Sequence, residues 1–440
     1  IRFGLMATPP RPLPKNWRRY DAHRGWLKLK GGFSEWGTGY FVKWPQDEED
    51  FRRRLRSYRE RDPYIVATPN VGSVYYQETH YGDGRIVPDH WLFGREFAPF
   101  FDPKTQGAFE RQLWKRPKDA SKYHKSYTRA VATREFTDYY LWQYKRLMDA
   151  FPNLRGIYMD GNVSAGDNRL NGTGYVDRYG HRRISYELLG CRDFMKRLYT
   201  MFWQIHGDQD ETPWLILNHG SNRYCPAIQS FITLFHQGEG LSAGPRAQGR
   251  HPLAALTLPG VQVAFNGHAW GVIHHQGVHQ VSGTPERVAE FKAMNFLHET
   301  YGERAKGTDR ANRRFQYCLE KMGWRADDDE IVFYPYWRMN SPAIAPTVGG
   351  YVNAWRKPKE NRAILFVTSL TGDDTAPTEV RVRFDRRALG FGNAPVTVKD
   401  MYNGQEWLTA AMNADTPLCE VSVPVRRNDF RFLELTAGGK

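Results

Sequence analysis

Four short apolar runs in this chain end abruptly on side chains that can move protons or bind hydroxyls. Arg155-Gly156-Ile157-Tyr158-Met159 runs into Asp160-Gly161-Asn162, and Trp214-Leu215-Ile216-Leu217 runs into Asn218-His219-Gly220. Phe231-Ile232-Thr233-Leu234-Phe235 runs into His236-Gln237-Gly238-Glu239, and Val261-Gln262-Val263-Ala264-Phe265 runs into Asn266-Gly267-His268. Cleaving a glycosidic bond takes two carboxyl groups across the bond, one protonated to release the leaving oxygen and one ionised as nucleophile or base. Asp160 is the candidate for the ionised carboxylate, with Gly161 after it to let substrate approach the backbone. Glu239, flanked by two glycines, is the candidate general acid/base. Tyr158, Asn218, His219, His236, Asn266, His268 and Trp270 are candidates for binding substrate or tuning the acid. Each has an ordinary alternative: Asp160 as a helix cap or structural acceptor, Glu239 as a surface carboxylate, the others as structural groups. The ordered set carries the reading. In a parallel barrel every C-terminal strand end opens on one face, where such enzymes keep their active sites.

Other carboxylates compete. Glu78 follows the strand-like Tyr64-Ile65-Val66-Ala67-Thr68, Glu135 and Asp138 flank Phe136-Thr137, and Asp167 and Asp177 lie in the long loop expected after Asp160. Asp177-Arg178-Tyr179-Gly180 reads as a turn. His274-His275-x-x-x-His279 lacks the Glu of an H-E-x-x-H helix, so loop or cleft histidines are expected there, with no metal and no cofactor. Cys191, Cys225, Cys318 and Cys419 are widely spaced, without a C-x-x-C, and leave the redox compartment open. Asn162-Val163-Ser164 and Asn171-Gly172-Thr173 match the short N-glycosylation pattern.

The elements that must position these residues follow from periodicity. The first three quarters alternate short apolar segments with helical patterns, which predicts βα units and a parallel sheet. Helices are expected over Tyr140–Phe151, with Tyr140, Tyr144, Leu147 and Phe151 on one stripe, and over Arg192–His206, with Phe194, Leu198, Met201, Phe202 and Ile205 together. A third is expected from Thr284-Pro285-Glu286, carrying Val288, Phe291, Met294 and Leu297 and stopping near Gly302. From about Asp329 short strands take over: Ile364–Val367, Val380–Phe384, Val396–Val398, Val421–Val423 and Phe430–Leu433, separated by turns such as Thr371-Gly372-Asp373-Asp374 and Asn403-Gly404. The expected class is α/β: a (β/α)8 TIM-type barrel over 1–328 and a C-terminal antiparallel β-sandwich over 329–440.

Composition narrows the partners. Of 440 residues, 40% are hydrophobic and 25% charged, ordinary for a globular chain, and no apolar run reaches the roughly 18 to 20 residues of a membrane span. The net charge of +14 admits an anionic polysaccharide substrate. Nucleic acid is not expected, because the basic residues are interleaved with acidic ones. In the densest run, Glu48 to Arg52 and Glu49 to Arg53 are spaced as helix-surface ion pairs. Aromatic residues, 14% of the chain, fit a packed core and also clefts that stack sugar rings. The chain opens on the strand-like Ile1-Arg2-Phe3-Gly4-Leu5 with no signal peptide in view; a processed protein, secreted, periplasmic or at the cell surface, is the expectation.

The segment Gly4-Leu5-Met6-Ala7-Thr8-Pro9-Pro10-Arg11-Pro12-Leu13-Pro14 resembles the opening of the catalytic region in proteins related to glycoside hydrolase family 123. So do Gly156-Ile157-Tyr158-Met159-Asp160-Gly161, Asn168, Gly172-Thr173-Gly174-Tyr175, Asp177, Gly180 and Arg192-Asp193-Phe194-Met195-Lys196-Arg197-Leu198-Tyr199, with Gly238-Glu239 and Trp270-Gly271. The resemblance is that of a distant relative, spans roughly residues 1 to 435, and is strongest between Gly156 and Tyr199. It implies a (β/α)8 barrel with a C-terminal β-domain. In that family an adjacent Asp-Glu pair polarises the substrate's 2-acetamido group and protonates the leaving oxygen. Here the residue after Asp160 is Gly161, so the pair is absent and a mechanism split between Asp160 and Glu239 is expected instead. A non-catalytic glycan-binding protein on a decayed barrel is the alternative. A polysaccharide lyase with a Tyr or His base is more remote.

Overall fold

The computed structural model describes residues 11–20, 45, 47–68, 77–80, 96–97, 100–101, 126–128, 132–160, 165–219, 225–237, 272–276, 285–302, 310–326, 330–372, 375–408, 410–411 and 416–437. The chain divides into two compact units. The first holds Ile1–Pro14, Tyr20–Gln237 and Gly267–Ile273; the second holds Lys15–Arg19, Gly238–Asn266 and His274–Lys440.

In the first unit, helix α1 (Glu48–Arg61) starts where Asp47 accepts the Asp50 N–H at 2.8 Å, and it buries Phe51 and Leu55. Arg52 reaches Glu48 at 2.9 Å as its spacing predicts, but Arg53 pairs with Asp50 rather than Glu49, beside Arg54 at 2.7 Å from the same carboxylate. Strands β1 (Gln77–His80), β2 (Phe100–Phe101) and β3 (Ser126–Thr128) follow, β1 antiparallel to β3. Helix α2 (Arg134–Ala150) begins six residues before the expected start. The reason is its cap: Thr133 Oγ1 accepts the Phe136 N–H, so the first turn forms ahead of the apolar stripe. That stripe is as expected, with Tyr140, Tyr144 and Leu147 buried and Phe151 buried just beyond the end.

Strand β4 (Gly156–Asp160) is followed by a β-excursion where a long loop was expected, because the turns around Asn168 and Asp177 fold its arms back into paired strands. Strand β5 (Ala165–Asn168) runs parallel to β2, β6 (Tyr175–Val176) and β7 (Arg182–Arg183) form a hairpin, and β8 (Ser185–Tyr186) lies antiparallel to β5. Helix α3 (Leu188–His206) then buries Cys191, Phe194, Met195, Leu198 and Phe202. This corrects the expected stripe: Ile205 is exposed and Met201 half-buried, because the buried face is the row Phe194, Leu198 and Phe202 flanked by Cys191 and Met195. Strand β9 (Leu215–His219), the short helix α4 (Pro226–Gln229) and strand β10 (Leu234–Gln237) complete the run. Strands β4, β9 and β10 are parallel neighbours in that order, joined through α3 and α4. Their apolar runs are buried throughout, as in a parallel sheet covered on its faces. Ile273 extends the same backbone network by donating to the Thr233 carbonyl at 2.9 Å. The expected βα alternation is thus present over 156–237.

Strand β11 (Ile273–Gln276) starts on the last residue of the first unit; within the second unit its His275 pairs with Tyr301 of the parallel strand β12 (Tyr301–Gly302). Between them, helix α5 (Pro285–Phe296) is shorter than expected. It ends in a turn in which Glu299 takes the left-handed φ of 53°, and Gly302 belongs to a strand. Helix α6 (Arg310–Met322) precedes the all-β part: β13 (Val332–Tyr334), β14 (Ala343–Ile344), β15 (Gly350–Lys357), β16 (Arg362–Ser369), β17 (Thr378–Asp385), β18 (Val396–Asp400), β19 (Glu406–Leu408), β20 (Ala410–Ala411), β21 (Leu418–Val425) and β22 (Phe430–Ala437). They form two antiparallel sheets, β13-β15-β16-β22-β18-β19 and β14-β17-β21-β20. All five short strands read from the sequence lie within these sheets. Leu365 and Val367 of one sheet share an apolar cluster with Val380, Val382, Val421 and Val423 of the other. The opposite face of the larger sheet, with Phe366 and Phe432, packs on Phe296 of α5 and Phe315 of α6.

Candidate active site

Strand β9 is in register with β4 on one side and β10 on the other, so Asp160, His219 and His236 occupy one row across the sheet. Met159, Asn218 and Phe235 form the row before it. Successive residues of a strand face opposite sides. Ile157, Met159, Ile216 and Phe235 belong to the core shared with α1, α2 and α3, so Asn218 shares that helix-covered face. Tyr158 and His219 lie on the other face, where the Tyr158 hydroxyl stands 2.9 Å from His219 Nδ1 in a buried contact. Asn218 is fully buried and donates Nδ2–H to the Met159 carbonyl at 3.4 Å, tying β9 to β4. The two polar residues read together from the sequence therefore serve opposite faces.

The close approach that sets β4 in place needs a glycine. A Cβ at Gly156 would stand 2.4 Å from the Ala67 carbonyl oxygen and 2.7 Å from Val66 Cγ1. The strand-like segment 65–68, buried along its length, lies against this point. Arg11, in the proline-rich opening, anchors the next strand. Its guanidinium sits 4.4 Å above the Tyr199 ring and donates to the Ile232 carbonyl at 2.6 Å, just before β10.

Asp160 and His236 are described as backbone positions only, at strand ends. Glu239, Asn266, His268 and Trp270 lie outside the described residues, as does the strand expected over 261–265. The same holds for His279 and for the side chains of Glu78, His274 and His275. Among the described residues no cluster of three His, Cys, Asp or Glu is placed to hold a metal ion, and no helix is long and apolar enough to cross a membrane. The four cysteines are free thiols, with Cys191, Cys318 and Cys419 buried.

Three of the competing carboxylates are taken up by cations. Asp167 is bound by Arg182 and Asp138 by Arg197 at 2.6 Å. Asp177 holds its turn as expected: it accepts the backbone N–H groups of His181 and Tyr179 and the Arg183 guanidinium, each at 2.9 Å. The His181 N–H above all, then Arg183, keeps its carboxyl below the usual range, which makes it a poor proton donor. The other motif residues between Asn168 and Gly180 are also turn builders. Asn168 Oδ1 accepts the Leu170 N–H, Thr173 Oγ1 accepts the Asn168 N–H, and Gly174 and Gly180 take positive φ. Asn171 of the glycosylation pattern has its amide engaged on both sides, accepting from the Thr173 hydroxyl within this turn and donating to the Glu96 carbonyl outside it. What sequence reasoning missed is the exposed aromatic surface these turns carry, although the Tyr- and Arg-rich stretch 175–186 was a visible signal.

No family model matches the chain, and no curated protein matches it. Among solved structures it is similar to an α-galactosidase from Lactobacillus brevis, at 11% identity and a TM-score of 0.47, over 93% of this chain and 50% of that one. It is also similar to a glycoside hydrolase family 27 β-L-arabinopyranosidase from Geobacillus stearothermophilus, at 8% identity and a TM-score of 0.41, over 92% and 96%. A third is a glycoside hydrolase family 30 endoxylanase from Clostridium papyrosolvens, at 8% identity and a TM-score of 0.36, over 95% and 97%. The chain spans about half the length of the galactosidase domain of an α-galactosidase–sucrose kinase, to which it is similar at 10% identity and a TM-score of 0.46, over 90% of its own length and 49% of that chain.

Proposed function

We propose that the chain is a glycoside hydrolase acting on a polysaccharide or glycoconjugate, with Asp160 as the ionised carboxylate and Glu239 as the general acid/base. The single observation that supports this most is the row Asp160–His219–His236 at the C-terminal ends of three adjacent parallel strands. Strand ends of this kind are where a (β/α)8 barrel, the architecture proposed for residues 1–328 ahead of a β-domain over 329–440, collects its catalytic groups. In the proposed reaction Asp160 bonds to the anomeric carbon as Glu239 protonates the leaving oxygen, and Glu239, now a base, takes a proton from the water that displaces Asp160 from the sugar. His219, its ring held by Tyr158, binds a substrate hydroxyl beside them. The distant likeness to glycoside hydrolase family 123 fits the same site with the catalytic pair divided between two strands.

The test is release of reducing ends from a panel of neutral and anionic polysaccharides by the full chain. Asp160→Asn and Glu239→Gln should each cut turnover by at least about 10²-fold, the scale of general acid–base catalysis, with melting unchanged. Near-normal turnover in either variant removes that residue from the mechanism. Gly161 after Asp160 favours the second reading, a glycan-binding protein without turnover. Glycan affinity that Asp160→Asn leaves intact, with no reducing ends released by the parent chain, would establish it.

A further inference from the structure

Exposed apolar and aromatic side chains are concentrated between β4 and α3. Tyr175 is 55% exposed, Tyr179 67% and Tyr186 73%, all within the excursion that begins five residues after Asp160. Large exposed rings gathered in one short excursion, among exposed arginines, are the composition of a recognition surface. The backbone beneath is rigid. Ser185 Oγ accepts the Gly174 N–H at 2.7 Å, joining the two arms of the excursion, and Asp177 and Asn168 close its turns. The backbone that carries the tyrosines is thus tied at its turns, which lowers the ordering a ligand must impose.

The charges at this surface have a sign. Asp167 and Asp177 are consumed by Arg182 and Arg183, and Glu187 is turned to the Ser185 hydroxyl. Arg169 and Arg178 are exposed and make no ion pair among the described residues. The Arg178 guanidinium lies 4.6 Å over the Tyr179 ring and donates to its hydroxyl, making a flat unit of an aromatic ring and a cation. Tyrosine faces stack on the C–H faces of pyranoses, and an arginine fork accepts carboxylate or sulfate oxygens in two parallel bonds. We infer that the 165–187 excursion is a binding surface for an anionic glycan chain, with Tyr175, Tyr179 and Tyr186 as ring platforms and Arg169 and Arg178 as its cation sites. The inference rests on the carbohydrate reading above and assigns a substrate class to it.

The test is titration of the full chain with decasaccharides of three kinds: heparin-derived, carrying sulfate and carboxylate; hyaluronan, carrying carboxylate alone; and neutral maltodecaose. The expected result is binding of an anionic decasaccharide at least 10-fold tighter than the neutral one. Whether hyaluronan suffices tells carboxylate from sulfate recognition. Arg178→Ala/Tyr179→Ala and Tyr186→Ala should each weaken that binding at least 10-fold, with the melting curve unchanged because these side chains are exposed. Equal affinity for all three sugars, undiminished binding by both variants, or tyrosine-dependent self-association without glycan binding would overturn it. Asp160→Asn should bind as the parent does; loss of binding there would place the glycan at the strand end alone. If binding persists while the parent chain releases no reducing ends, the surface stands and the hydrolase reading falls.

Discussion

The Tyr158 hydroxyl and His219 Nδ1 meet at 2.9 Å across two adjacent parallel strands, in a buried setting. A buried polar atom that loses its partner keeps its desolvation cost, about 1–3 kcal/mol. Tyr158→Phe should therefore destabilise the chain by about that amount in a denaturant titration. With the ring of His219 no longer held, turnover on a glycan substrate should fall more than KM rises. An unchanged melting midpoint would show that this contact does not hold the strand ends.

Gly156 and Gly172 make a controlled comparison. Alanine at 156 puts its Cβ 2.4 Å from a backbone carbonyl, whereas alanine at 172 meets nothing within 4 Å and suffers only the left-handed φ of 74°. Overpacking against backbone costs about 1–3 kcal/mol and also displaces β4. The left-handed backbone costs about 1–2 kcal/mol. Gly156→Ala should thus lose stability and activity together, and Gly172→Ala stability alone. Chemical denaturation and reducing-end assays on both variants separate the two effects.

In the second unit Arg18 and Glu299 form a buried pair at 3.0 Å, 281 residues apart in sequence, and Trp355 Nε1–H donates to the same carboxylate at 2.5 Å. Removing one partner leaves a buried charge, which costs about 3–5 kcal/mol. Glu299→Leu should cost this much. The double variant Arg18→Met/Glu299→Leu should cost less than the single one, a non-additivity that a double-mutant cycle reads directly.

Two histidines give stability a pH slope. Burial pushes His298 down to about 4, with its Nδ1–H donating to the Met294 carbonyl. His206 is also lowered to about 4, by burial and then by Arg155. The unfolded chain takes up these protons near 6.5, the folded chain only near 4. The stabilisation is therefore fully present above about pH 6.5 and is lost as pH falls from there toward 4. The melting temperature should fall over that window, and His298→Gln should flatten the slope. A melting temperature independent of pH between 7 and 4.5 would contradict both assignments.

Periodicity was a sound guide wherever a single element decided burial. The alternation Val380, Val382, Phe384 is buried as a strand face should be, and Tyr140, Tyr144 and Leu147 form the buried stripe of their helix. It failed where a neighbour or a cap decided. Thr133 starts α2 early through one side-chain bond, and α3 rotates its buried face away from Ile205 because Cys191 and Met195 meet the core instead.

The chain by itself determined the kinds of element, the polar residues at strand ends and the turn chemistry around Asp177 and Asn168, because these depend on side chains a few positions apart. Tertiary structure decided which strand ends share a row, which face of those strands the helices cover, and that Arg18 meets Glu299. Such pairings join residues tens to hundreds of positions apart. They are selected by burying complementary faces together, a free energy that no short stretch of sequence contains.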